Sequence, residues 1–176
     1  MDDHLQTAVA GVFAAGDVIG EPAFVYTAAY EGRLAAENAL NGDARKRDYT
    51  ALPWVIFTDP QIAGVGMNEK EALRAGVEID TAKLDLSNVP RALAARDTRG
   101  FIKLIKQRDG DKLLGARVLA QEGGDQIMEA AMAIRFGLGV SKIAAMFHPY
   151  LTQAEGIKLC AQAFRKDVKK LSCCSA

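Results

Sequence analysis

The chain has 176 residues, of which 49% are hydrophobic and 25% charged, and its 22 basic side chains balance 22 acidic ones to a formal net charge of zero. Those values exclude global disorder, and they give no electrostatic reason for nucleic acid or an acidic membrane as a partner. No apolar run reaches the ~20 residues that span a bilayer. The start, Met1-Asp2-Asp3-His4, lacks the basic and apolar regions of a signal peptide, and three cysteines make no disulfide framework, so a cytoplasmic location is expected.

Residues 11–17, Gly-Val-Phe-Ala-Ala-Gly-Asp, read as a short buried strand ending in a tight turn. Pro22 is placed to open a helix, where its missing N–H is harmless. Phe24, Ala28, Glu31, Ala35 and Ala39 continue at helical spacing, and Asn41-Gly42 supplies a C-cap. Arg45-Lys46-Arg47-Asp48 reads as a charged linker. It divides the chain into residues 1–47 and 48–171, with 172–176 as a flexible tail.

In the second part, Pro53 to Thr58 is a strand by its β-branched and aromatic content, and Ile62 to Met67 is another. Asn68 N-caps a short helix from Glu69 to Ala75, which Gly76 ends. Glu78 to Asp85 alternates as a strand. Phe101 to Ile105 and Leu113 to Ala120 flank the polar hairpin turn Asp109-Gly110-Asp111. A helix is expected from Asp125 to Phe136, then a shorter one N-capped by Ser141. The last helix should start at Thr152, with Glu155 completing a capping box, and run to about Lys169. Hairpin strands followed by helices, with no repeated βαβ unit, give an α+β fold. There is no Gly-x-Gly-x-x-Gly and no phosphate loop.

The chemistry-bearing residues gather at the end. Cys173 and Cys174 are adjacent, and successive residues rarely reach disulfide geometry without strain. Both sulfurs can turn to one soft metal ion. Lys166, Lys169 and Lys170 precede them and favour the thiolates. His148, Tyr150 and Glu155 cluster around Pro149. Cys160, in mid-helix without a second cysteine beside it, reads as a small buried apolar residue.

Ala14-Ala15-Gly16-Asp17 resembles the second flavin-binding signature of the pyridine nucleotide-disulfide oxidoreductases. The resemblance continues through Phe57-Thr58-Asp59-Pro60-Gln61-Ile62-Ala63-Gly64-Val65-Gly66, Asn88 to Ala94, Gly100 to Leu104 and Gly115 to Ala120. Pro149-Tyr150-Leu151-Thr152, Glu155-Gly156 and Lys170 to Cys174 narrow it to the mercury-reducing branch. The resemblance implies the C-terminal portion of such an enzyme, a remnant of the FAD-binding α/β domain followed by the dimerisation domain. It implies a homodimer that uses FAD and NADPH to reduce Hg(II) to Hg(0).

Individual roles follow from the same resemblance. Asp17 would bond the ribityl chain of FAD, and the backbone at Val25 would lie against the isoalloxazine. Disulfide-reducing relatives place a histidine five residues before a glutamate, as base and orienter. Counting back from Glu155 puts Tyr150 at that position, whereas aligning on His148-Pro149 puts Gln153 at the acid. The first alignment makes Tyr150 a metal neighbour. Cys173 and Cys174 would take Hg(II) from thiol complexes and pass it to an inner cysteine pair on the partner subunit. Two other readings stay open: a lipoamide dehydrogenase-like enzyme, which Tyr150 and the cysteine pair oppose, and a non-catalytic dimeric module that binds soft metal.

Overall fold

A computed structural model describes residues 1–42 and 45–167. Cys173 and Cys174, and the far end of the expected last helix, lie outside those residues. The chain divides into two units, Met1–Tyr49 and Thr50–Ala176.

The first unit is built on one helix, α1 (Val25–Asn41), ended by Gly42 in the left-handed conformation with φ 62°. Its buried face carries Leu34 and Ala35, which pack with Leu5; Phe13, Ala15 and Ile19 close over them. Three hydrogen bonds from one amide tie down the chain on either side. Asn38 donates to the carbonyls of His4 and Arg45 at 2.9 and 3.0 Å and accepts from the Arg45 N–H at 3.0 Å. Residues 45–48, expected as a linker, are bonded into this unit. Arg47 N–H reaches the Asp3 carbonyl at 2.9 Å, and Asp48 N–H reaches the Tyr30 hydroxyl at 2.9 Å.

The expected strand over 11–17 is not formed. A strand needs a neighbour along its length, and here pairing is limited to one antiparallel bridge, Gln6 with Phe13. A 3-10 turn, Asp17–Ile19, follows at once. Pro22 does not open α1 either. It lies in the approach, where the Thr27 hydroxyl accepts from Phe24 N–H at 3.0 Å and points its proton toward the Pro22 and Phe24 carbonyls. The first helical residue is therefore Val25.

The second unit is a five-stranded antiparallel sheet in the order β1-β2-β5-β4-β3. The strands are β1 (Trp54–Ile56), β2 (Gln61–Gly66), β3 (Ile79–Asp85), β4 (Phe101–Gln107) and β5 (Leu113–Ala120). Side chains alternate across a sheet, so residues paired in register share a face. Ala82, Leu104, Ala116 and Val65 form one buried row, and Leu84, Ile102, Val118 and Ala63 the next. Helices cover this face: α4 (Gly123–Arg135) lies on β2 and β5, while α6 (Glu155–Gln162) lies on β3 and β4 and packs against α5 (Val140–Ala145). On the other face, Lys83, Lys103, Arg117 and Trp54 make a row, with the Arg117 guanidinium 5.6 Å from the Trp54 ring centroid.

The α+β architecture agrees with the sequence, and the capped helix α2 (Glu69–Arg74) does too. Asn68 and Glu71 cap each other reciprocally at 2.9 and 2.8 Å. Three helix details differ. A short helix, α3 (Pro90–Ala95), was not expected, although Pro90 at its start was its signal. Ser141 does not N-cap α5; Gly139 holds that position, and the Asp111 carboxylate from the β4–β5 turn accepts from the Ser141 N–H and hydroxyl. Thr152 does not cap the last helix. Leu151, at φ 64°, turns the chain so that the Thr152 hydroxyl donates to the Pro149 carbonyl at 2.9 Å. Helix α6 starts at Glu155 without a capping box and ends at Gln162, where Ala163 N–H is shared between two carbonyls.

Candidate functional site

In the first unit, the turn at Gly16-Asp17 is held from beneath. Gly16 has φ 78°, a conformation glycine adopts without strain, and a Cβ there would lie 3.3 Å from the Cβ of Ala28 on α1. Its N–H donates to Glu31 Oε2 at 2.7 Å. The other carboxyl oxygen of Glu31 accepts from the Tyr49 hydroxyl. Glu31 itself is 1% exposed. Burial and the bond to Glu31 push the Tyr49 phenol up to about 12.

The Asp17 carboxylate is exposed and has no hydrogen bond or ion pair among the described residues. Val25 is 88% exposed at the first position of α1. The unit thus presents a free acceptor on a rigid turn and an uncovered apolar residue at a helix N-terminus, where the backbone carries partial positive charge.

In the second unit, Tyr150 is 67% exposed, and its hydroxyl has no partner among the described residues. Just before it, the chain is anchored by His148, whose Nε2 lies 2.9 Å from Glu129 Oε1 on α4 and whose Nδ1 lies 3.3 Å from the Met146 carbonyl. Sequence spacing did not reveal Glu129 as the partner, because it reaches His148 across the fold. Glu155 is buried at the start of α6, with Oε2 lacking a hydrogen bond. No hydrogen bond joins Glu155 to Tyr150, so the segment offers an exposed phenol and, separately, a sequestered acid.

Cys160 is fully buried, and its S–H points at the carbonyls of Ile102 and Ala82 at 3.4 and 3.5 Å. Burial pushes its thiol up to about 12, so it is protonated and unavailable as a soft ligand at neutral pH. Among the described residues no group of three His, Cys, Asp or Glu side chains is arranged to hold a metal ion. No helix of the described residues is long and apolar enough to cross a membrane.

Residues 52–161 match the family described as pyridine nucleotide-disulphide oxidoreductase, dimerisation domain. Mercuric reductase from Streptomyces lividans is 53% identical over 99% of the chain, which covers 37% of that protein. The mercuric reductase of Shewanella putrefaciens is 48% identical, again over 99% of the chain and 31% of the relative. The chain thus spans about a third of the length of the curated relatives it matches. Among solved structures, LpdA from Mycobacterium tuberculosis superposes with a TM-score of 0.82 at 26% identity, over 94% of this chain and 36% of that one. The flavoprotein disulfide reductase RclA from Escherichia coli gives 0.78 at 27% identity, over 92% and 37%. The antiparallel sheet with helices on one face, the family match over most of the second unit and the relatives matched along nearly the whole chain agree: the chain belongs to the pyridine nucleotide-disulphide oxidoreductases through their dimerisation domain.

Proposed function

We propose that this chain works as part of a homodimeric mercury(II) reductase, supplying the dimer interface, one edge of the flavin site and the cysteines that deliver the metal. The observation that carries the proposal is the identity of 43–53% to mercuric reductases along 99% of the chain. Solved relatives of a different name share only 26–27% identity with it.

The residues of the first unit fit one side of a flavin. Asp17 is an exposed acceptor with no competing partner, suited to a ribityl hydroxyl. The uncovered Val25 suits the edge of a flat apolar ring, and the positive end of α1 stabilises negative charge there. When bound, FAD fed by NADPH supplies the two electrons that take Hg(II) to Hg(0).

Metal handling falls to the protein's own side chains. Cys173 and Cys174 act as thiolates that displace the thiols bound to incoming Hg(II), one S–Hg bond forming for each that breaks. The neighbouring lysines favour the thiolate form. Tyr150 presents an oxygen without another partner to an ion held nearby. Cys160 takes no part, because its sulfur is enclosed and protonated.

The test is competition for Hg(II) against a small dithiol at fixed pH, since the ligands deprotonate on binding. Removing one of two soft ligands by Cys173→Ala or Cys174→Ala should weaken binding by orders of magnitude, while Cys160→Ala leaves it unchanged. If Cys173→Ala/Cys174→Ala competes as well as the wild type, the delivery role is wrong.

A further inference from the structure

We infer that Glu31 is a positioning residue for the flavin-binding turn, a buried clamp that sets where Asp17 presents its carboxylate. The inference rests on the reading of Asp17 as a ribityl ligand, and it assigns a role to a side chain that does not itself touch the cofactor.

Glu31 sits on the inner side of α1 at 1% exposure. Burying a carboxyl group is unfavourable by several kcal/mol unless its oxygens are satisfied. An apolar residue at this buried position would avoid that penalty. The carboxyl is satisfied by two donors from separate stretches of chain. Oε2 accepts from Gly16 N–H at 2.7 Å, and Oε1 accepts from the Tyr49 hydroxyl. Both bonds are long-range, 15 and 18 residues apart in sequence, so they fix segments that local structure leaves free.

The geometry makes the first bond consequential. Gly16 immediately precedes Asp17, the first residue of the 3-10 turn. A Cβ at Gly16 would lie 3.3 Å from the Cβ of Ala28, one turn of α1 before Glu31. Ala28 therefore limits how close the turn can come to the helix, and Glu31 prevents it from lifting away. The Asp17 side chain has no partner of its own, and its carbonyl is bonded only within the same turn, to Gly20 N–H at 3.1 Å, so the placement of the carboxylate follows that of Gly16. Tyr49 in turn donates to the Glu31 carboxyl and holds it in one orientation. A cofactor ligand placed beforehand binds without the cost of ordering it.

The experiment compares Glu31→Ala, Glu31→Gln, Glu31→Asp and Asp17→Ala with the wild type. Amide exchange of Gly16 is read in this chain, and the rate of FAD release, followed by flavin fluorescence, is read in the flavoenzyme that carries it. Glu31→Ala should speed exchange at Gly16 and release of FAD by about tenfold each, the effect of one lost hydrogen bond. Glu31→Gln keeps an acceptor for Gly16 and a group for Tyr49, so it should restore both to within about threefold. If Glu31→Ala unfolds the first unit, Glu31→Asp, which withdraws the acceptor by one methylene, carries the same comparison. Unchanged Gly16 exchange in Glu31→Asp and Glu31→Ala overturns the clamp. Faster exchange with normal FAD retention, while Asp17→Ala loses FAD, also overturns it, because the bond would then be merely structural. If Asp17→Ala keeps its FAD, the ribityl reading itself fails, and the positioning role falls with it.

Discussion

Cys160 shows how burial sets the chemistry of a side chain. Cys160 is enclosed between α6 and the sheet, its proton directed at two strand carbonyls. Desolvation raises its pKa to about 12, and a thiol with that value has almost no thiolate at neutral pH. A thiol reagent applied to the native protein at pH 7.5 should therefore leave Cys160 unmodified, and it should react at this position once denaturant is added. Mass spectrometry of modified peptides distinguishes the sites. Rapid labelling of Cys160 in the native protein would mean that its pocket opens far more readily than its packing implies. The same logic separates the two carboxyl groups of the first unit. Glu31 is buried and fully bonded, whereas Asp17 is exposed and unpaired, and it is Asp17 that is free to meet a ligand.

At the scale of elements, the helix α5 shows where sequence reading succeeds and where it stops. The serine at 141 is a good local capping residue, and the helix beside it was legible. Its cap comes instead from Asp111, 30 residues earlier, through the Ser141 N–H at 3.1 Å and the hydroxyl. Asp111→Ala should cost about 1 kcal/mol, the usual value of a helix cap, and should speed amide exchange at the start of α5 ahead of the sheet. Thermal unfolding and exchange together check this; a loss spread evenly over the whole unit would contradict a local cap. The strands β2 to β5 were legible because alternation and the Asp109-Gly110-Asp111 turn are local signals. Residues 11–17 misled, since an apolar run forms a strand only if something pairs with it, and here that is Gln6 alone. In the candidate site, it was the resemblance at Ala14 to Asp17 and around Pro149 that singled out Asp17 and Tyr150 as candidates. Glu31 under the turn and Glu129 on His148 were hidden, because each acts on a residue 15 or more positions away.

For the whole molecule, zero net charge offers no repulsion to keep two copies apart, and the outer surface of α4 offers a reason for them to meet. The inner face of that helix, with Ile127, Ala130, Ala131 and Ile134, is spent on the sheet. On the outside, Met128, Met132 and Phe136 follow at intervals of four residues and are 48%, 54% and 67% exposed. Residues four apart lie above one another on a helix, so these form a continuous apolar stripe rather than scattered side chains. A closed two-fold pairing would bury such a stripe against its own copy. We therefore expect a dimer in solution, with Met132→Glu shifting it to monomer. A charge at the centre of the stripe would be desolvated in the dimer and face its symmetry mate, whereas in the monomer it meets water. Because Met132 is half exposed already, the substitution should leave the thermal stability of the monomeric unit nearly unchanged. Sedimentation velocity at micromolar protein reads the outcome. A wild type that sediments as a monomer removes the dimer, and a Met132→Glu protein that stays dimeric moves the interface away from α4.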